Sequence, residues 1–396
     1  MNKNDLLRQK IDLEKLLGRS FVPRVQLPAG EKILESNLVK VVIGPRRAGK
    51  SVYCLELLKD KKFAYLNFDD KKMIGADEDE VFKILQGIYP QARYYLFDEI
   101  QNLPGWELFI NKLQRRGHNI ILTGSNAKLL SGELATHLTG RFLEIEILPF
   151  SFAEYKKAKK RSIWDYLTDG GFPETVVEPN DPKVYLPTLF DSIILNDVIQ
   201  RHNVKYTAKI NELASYVLAN TAGTFTYSKL ASSLGFPSVL TLQKYFSYLI
   251  QTYLFFELLR FSPKIKEQFK APRKIYTVDN GFITSRAFAA SPNYGKLCEN
   301  LVFIELVRRG YRPNLDLFYY QTRNGKEVDF VLKRGHKVEQ LIQVCYSLDQ
   351  TDTKKREESA LSEAEEELSC ENSLIITGNN LGEWLLSKSV VGNFGK

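Results

Sequence analysis

An α/β fold is predicted: a doubly wound domain on a parallel sheet, then a winged helix-turn-helix, then a second α/β domain. Three observations predict it. Residues 41–51 read Val-Val-Ile-Gly-Pro-Arg-Arg-Ala-Gly-Lys-Ser, an apolar strand entering a glycine-bounded loop. A second apolar run, Tyr94-Tyr95-Leu96-Phe97, ends in the paired acids Asp98 and Glu99. From about Leu38 to Ile147, strand-like and helix-like runs alternate, the pattern of βαβ units on a parallel sheet.

The first element carries the most chemistry. Leu38 to Ile43 is the strand, and Ser51 to Leu58 has helical apolar spacing. Between them stands a complete phosphate-binding loop: Gly44, Pro45, Arg46, Arg47, Ala48, Gly49, Lys50, Ser51 and, entering the helix, Val52. The glycines let backbone N–H groups turn toward a phosphate, Lys50 supplies a point charge for the β- and γ-phosphates, and the Ser51 hydroxyl can ligate Mg²⁺. The helix start offers its positive dipole end to the same anion.

Phe63 to Phe68 is a further strand. The strand ending at Asp98 and Glu99 delivers both acids to the carboxyl edge of the sheet, where nucleotides bind. Asp98 can hold the Mg²⁺ shell, and Glu99 can orient or deprotonate an attacking water. The strand Asn119 to Thr123 runs into Gly124-Ser125-Asn126. Asn126 is the candidate γ-phosphate sensor, with Thr123 and Ser125 as alternatives. Arg141, in Gly140-Arg141-Phe142, is either an arginine finger acting in trans from a second copy or a structural ion-pair partner.

Beyond Pro149 the pattern changes. Residues 153–205 are mostly helical in spacing, broken at Gly170-Gly171-Phe172-Pro173. Thr226 to Gly235 reads as a capped helix and turn. Ser238 to Gln251 reads as a second helix, with Leu240, Leu242, Tyr245, Leu249 and Ile250 at its apolar positions. Tyr253 to Phe261 reads as a short strand pair. That is the plan of a winged helix-turn-helix. Its second helix is poor in cations, Lys244 standing nearly alone, so either DNA or a protein is its partner. The last region offers a strand at 275–279, a helix from Lys296 to Arg309 carrying Glu299, and a strand from Leu317 to Gln321. A turn at Arg323 to Lys326 leads to Glu327-Val328-Asp329-Phe330-Val331, and Leu341 to Tyr346 follows. The expected divisions are an N-terminal helical segment (1–37), the phosphate-loop domain (38–150), a helical linker (151–205), the winged helix (206–262) and the last α/β domain (263–396).

At 396 residues the chain is too long for one core. A net charge of +8 favours an anionic partner such as nucleic acid, or serves only solubility. No apolar run approaches a membrane span, and the start lacks an apolar signal region, so a cytoplasmic protein is expected. The four cysteines and four histidines are scattered, which points to neither disulfides nor a metal site built on them.

Several ordered motifs carry a family resemblance: Gly44 to Ser51, Phe97-Asp98-Glu99-Ile100-Gln101, Thr123-Gly124-Ser125, Gly140-Arg141, Gly170 to Pro173, Glu299-Asn300-Leu301-Val302 and Glu327-Val328-Asp329-Phe330. Over about Leu38 to Gly378 the chain resembles archaeal and bacterial AAA-superfamily P-loop ATPases with a C-terminal restriction-endonuclease-like domain of unknown function. The resemblance implies ATP, Mg²⁺, a winged-helix middle and a link to nucleic acid. It also implies a nuclease-type site: Glu299 on a helix, Asp329 on a strand, and a Glu-x-Lys on the next strand. That last motif here reads Gln343-Val344-Cys345. Gln343 can touch a metal weakly, but Cys345 cannot replace an ammonium, so Glu299, Asp329 and Gln343 are expected to be the remnant of a site that does not cleave efficiently. Two functions stand: an ATP-hydrolysing switch or motor acting on DNA, or a nucleotide-dependent signalling or scaffold protein. A third, an ATP-gated nuclease, is disfavoured by Cys345.

Overall fold

In the computed structural model, the described residues are 3–70, 72, 77–125, 140–159, 161–286 and 292–387. They form two compact units, 1–148 and 149–396.

The first unit is a parallel sheet of five strands: β1 (Val39–Ile43), β2 (Phe63–Asn67), β3 (Tyr94–Asp98), β4 (Asn119–Gly124) and β5 (Phe142–Glu146), in the order β2-β3-β4-β1-β5. β1 is buried along its whole length, and its valines and isoleucine suit a strand covered on both faces. Helices α1 (Lys3–Leu17), α2 (Leu27–Leu34), α3 (Lys50–Leu58), α4 (Glu78–Ile88) and α5 (Trp106–Arg115) accompany the sheet. One core brings Leu13, Ile33 and Leu34 of α1 and α2 against Tyr53, Cys54 and Leu57 of α3 and Val42, Leu96 and Ile121 of the sheet. The N-terminal helices therefore complete the hydrophobic layer over the strand that carries the loop. Helix α4 starts where Asp77 accepts from the N–H groups of Asp79 and Glu80, satisfying two donors that a helix start leaves open.

The second unit begins with short helices: α6 (Phe152–Ala158), α7 (Ile163–Asp169), α8 (Pro173–Val176) and α9 (Pro182–Ile193), the last continued by a π-helical stretch, Ile194–Gln200. Ser151 with Glu154 and Ser162 with Asp165 form capping boxes that start α6 and α7. The break at Gly170 has a packing reason. Gly170 is left-handed (φ 76°), and a Cβ there would lie 1.8 Å from Asp279 Oδ1. Asp279 Oδ2 instead accepts the Gly171 N–H at 2.7 Å, and Oδ1 accepts that of Gly281 at 2.8 Å.

Then come α10 (Thr207–Ala219), β6 (Gly223–Phe225), α11 (Tyr227–Ser233), α12 (Val239–Gln251), β7 (Phe255–Leu258), α13 (Ile265–Lys270) and β8 (Arg273–Thr277). The strands form an antiparallel sheet ordered β6-β8-β7. The expected strand pair at 253–261 is one strand; its partner β8 follows α13, past the break at Pro263. Leu240, expected on the apolar face of α12, is 76% exposed, whereas Leu242, Tyr245 and Leu249 are buried.

After α14 (Asn280–Ser285) and α15 (Tyr294–Arg308), β9 (Leu317–Gln321), β10 (Glu327–Arg334) and β11 (Lys337–Cys345) form an antiparallel meander. It is extended in parallel by β12 (Ser373–Thr377) beyond α16 (Thr351–Leu368), and α17 (Leu381–Leu386) follows. Ala360, Leu361 and Ala364 of α16 pack on Val328, Val331 and Leu341 of that sheet.

Candidate functional site

The candidate site of the first unit lies where β1, β3 and β4 end. Gly44 leaves β1 at φ 139°, and a Cβ there would stand 2.0 Å from the Ile147 carbonyl oxygen. Only glycine lets the backbone turn that close. Arg24, buried between α1 and α2, braces the loop from outside by donating to the Ala48 carbonyl at 3.3 Å and to that of Leu148.

Lys50 is 4% exposed. Its Nζ donates to the Pro45 carbonyl at 2.9 Å and lies 4.0 Å from Glu99 Oε1. The Ser51 hydroxyl donates to Asp98 Oδ1 at 2.8 Å. Thr123, at the end of β4, donates to the same Oδ1, and the Tyr65 hydroxyl donates to Oδ2 at 3.0 Å. Burial, and then the Glu99 charge, push the Asp98 carboxyl above its ordinary range, against the pull of these three hydroxyls.

Glu99 leaves β3 in a left-handed conformation, φ 52°, that side chains other than glycine seldom adopt. Its N–H donates to Thr123 Oγ1 at 3.0 Å. Its Oε2 accepts from Gln101 and from the Ser125 hydroxyl at 3.2 Å. Burial works to raise this carboxyl, but Lys50, Gln101, Arg46 and Ser125 outweigh it and hold it below the ordinary value. Glu99 is thus an ionised carboxylate held by side chains from three segments. Such local strain is a recurrent feature of functional sites.

The donor chemistry fits a hard cation: a hydroxyl and a carboxylate, both oxygen, face each other beside a buried ammonium. Ser51 and Asp98 are the residues that would hold Mg²⁺, and Lys50 with the loop backbone would face the phosphates.

Of the remaining candidates, Asn126 lies outside the described residues, while its alternatives Thr123 and Ser125 both sit in the site. Arg141 does not join it. Exposed at the start of β5, it pairs its carbonyl with the Val39 N–H, at the opposite edge of the sheet from the loop. The five residues of β1 separate the two edges by about 13 Å. Sequence reasoning gave no role to Tyr65, Gln101 or Arg24. Gln101 carried a signal, two residues beyond Glu99; the other two are brought in only by the fold.

In the second unit, Glu299 of α15 and Asp329 of β10 do meet, through a residue that sequence reasoning missed. Lys274 of β8 is 1% exposed and donates to Glu299 Oε1 at 2.7 Å and Asp329 Oδ1 at 2.9 Å. Gln343 Oε1 accepts the Asp329 N–H at 3.2 Å. Glu299, Asp329 and Gln343 border a cleft of about 890 Å³ whose lining includes Lys296, Lys326, Arg356 and Cys345. Burial, with Glu357 and Asp329 nearby, pushes the Cys345 thiol up to about 11, so it stays neutral at pH 7.

Residues 36–156 match the AAA domain family, and residues 160–291 and 294–391 match two domains of unknown function, DUF8612 and DUF4143. The chain is 36% identical over 376 residues to an uncharacterized protein of Methanocaldococcus jannaschii, covering 87% of this chain and 83% of that one. It is 32% identical over 341 residues to an uncharacterized protein of Haemophilus influenzae, covering 79% and 84%. The chain belongs to their family of AAA-domain proteins. Among solved structures, a Walker-type ATPase of Pyrococcus abyssi is similar at 15% identity and a TM-score of 0.45, over 67% of this chain and 96% of that one. The AAA-domain family and the five-stranded parallel sheet give the first unit a P-loop ATPase fold. No helix among the described residues is long and apolar enough to cross a membrane.

Proposed function

We propose that this AAA-domain protein hydrolyses ATP and uses the cycle to move its helical and C-terminal parts on DNA in the cytoplasm. The observation that carries the hydrolysis is the convergence of Lys50, Ser51, Asp98 and Glu99 at one sheet edge, with Glu99 kept ionised beside the loop. In this reading the β- and γ-phosphates lie in the loop from Gly44 to Val52, against the Lys50 ammonium. Ser51 and Asp98 would hold a Mg²⁺ ion, which would supply charge neutralisation for the phosphates. Glu99 orients the attacking water and takes its proton, while Gln101 and Ser125 hold its carboxylate in place. Thr123 and Ser125 take the polar role at the end of β4. Arg141 can serve such a site only from a second copy of the chain, and a homo-oligomer is the arrangement that would use it.

For the second unit we read α10, β6, α11, α12, β7 and β8 as a winged helix-turn-helix. The support is the helix order and the antiparallel sheet β6-β8-β7. The meander β9–β11 with α15 and α16 is read as restriction-endonuclease-like and, with Gln343 and Cys345 in its third motif, as not cleaving. DNA is the partner that the +8 charge favours. A second reading, a nucleotide-dependent scaffold, has one observation behind it. The exposed face of α12 presents Val239 and Leu240, 38% and 76% exposed, a surface better suited to a protein than to a phosphate backbone. ATP turnover with and without duplex DNA, across a salt series, separates them. Stimulation that falls steeply with salt supports DNA, because phosphate contacts release counterions. No stimulation even at low salt supports the scaffold.

A further inference from the structure

The carboxylates Glu299, Glu327 and Asp329 converge on one point, and a side chain already stands there. Lys274 Nζ lies 2.7 Å from Glu299 Oε1, 2.8 Å from Glu327 Oε1 and 2.9 Å from Asp329 Oδ1. A lysine ammonium donates and never accepts; here it donates to Glu299 and Asp329 and is ion-paired with Glu327, so one head group neutralises all three carboxylates.

The atoms that a metal would use are committed elsewhere as well. Glu299 Oε1 also accepts from the Tyr276 hydroxyl at 2.7 Å. Asp329 Oδ2 accepts the Val344 N–H at 2.9 Å. Gln343 spends its oxygen on the Asp329 N–H and its amide on Glu357. Among the described residues, no group of three His, Cys, Asp or Glu is placed to hold a metal ion.

We propose that the Lys274 ammonium takes the place of a divalent cation between Glu299 and Asp329, leaving the C-terminal cleft with an internal, metal-free counter-ion. Burial of a lysine disfavours its charged form, and here Asp329 and Glu299 more than reverse that, so the ammonium stays charged across the working pH range. Removing the lysine leaves three carboxylates facing one another, an arrangement that calls for a cation. The lysine absent from the motif at Cys345 is thus replaced from another strand, but in the metal's position. The inference rests on the nuclease-like reading of this cluster and is independent of the ATPase reading.

The test is a Mn²⁺ titration of the nucleotide-free full chain, followed by electron paramagnetic resonance. Wild type and Glu299→Gln are expected to bind the same amount of Mn²⁺. Lys274→Met is expected to gain one further Mn²⁺ per chain, lost again in Lys274→Met/Glu299→Gln, and Mn²⁺ is expected to raise its Tm but not that of the wild type. A wild-type Mn²⁺ site that Glu299→Gln removes overturns the proposal, as does a folded Lys274→Met that gains none. Should Lys274→Met fail to fold, the wild-type and Glu299→Gln pair still decides. Equal binding supports the internal ammonium, and a lost site overturns it.

Discussion

Glu99→Gln keeps the shape of the side chain and removes its charge. Glu99 Oε2 accepts from Gln101 and Ser125, and Oε1 faces Lys50 Nζ at 4.0 Å. The glutamine carbonyl can take the same two hydrogen bonds, so the fold and the left-handed turn at residue 99 should persist. What is lost is the base. A positioned general base contributes roughly 10²- to 10⁴-fold to rate, and kcat should fall within that range. Binding should move the other way. At 4.0 Å, two unit charges attract by about 4 kcal/mol at an effective dielectric of 20. With the Glu99 side chain 18% exposed, solvation leaves on the order of 1 kcal/mol of that. Freed of this partner, Lys50 should hold the nucleotide up to about fivefold tighter. The assay is steady-state phosphate release, with binding of a non-hydrolysable ATP analogue followed by fluorescence. A folded Glu99→Gln whose kcat stays within about threefold of wild type would show that Glu99 is not the base.

Gly44→Ala places a methyl group 2.0 Å from the Ile147 carbonyl oxygen at a backbone φ of 139°. The backbone conformation alone costs about 1–3 kcal/mol. A lowered Tm by calorimetry and loss of nucleotide binding are expected, and unchanged values of both would contradict the close packing of the loop. Asp279 is pushed by burial up to about 7, against the pull of the Gly171 and Gly281 N–H groups. Because its folded value lies above the unfolded one, the stability it contributes is complete below about pH 4 and is lost as pH rises through about 7. Asp279→Asn should flatten denaturant stability over that window relative to wild type. It should also cost about 1–3 kcal/mol, since an amide can accept only one of the two N–H groups. An unaltered pH slope would show that Asp279 is ionised throughout.

The phosphate loop was legible because its chemistry is local: strand, glycines, lysine and hydroxyl follow one another between residues 41 and 51. The acids at the end of β3 were legible for the same reason. Tyr65 was not, because its meeting with Asp98 depends on the parallel register that sets Tyr65 beside Leu96 and Asn67 beside Asp98. Arg141 was read as an arginine finger acting in trans or as a structural ion-pair partner; the parallel direction of β5 puts it at the edge of its own sheet far from the loop. The strand expected at 275–279 is β8, but it joins β7 across the helix Ile265–Lys270 instead of the last sheet, and the three-residue β6 left no readable signal. Lys274 was the least legible residue of all. Nothing near it marks it as functional, and it reaches Asp329, 55 positions onward, only because β8 and β10 come together. The Gly-Gly break at 170 was visible as a break, but its cause, the carboxylate of Asp279, lies 108 positions from Gly171.

ATP hydrolysis by purified wild-type chain and by Lys50→Ala, measured side by side with Mg²⁺ as phosphate release, puts the P-loop site to the test. Lys50 is buried, and its ammonium touches the loop carbonyl of Pro45 and lies 4.0 Å from Glu99 Oε1. Turnover by the wild type that disappears in a folded Lys50→Ala is the expected result. Turnover that survives in Lys50→Ala, or a nucleotide-binding wild type that releases no phosphate, would contradict it.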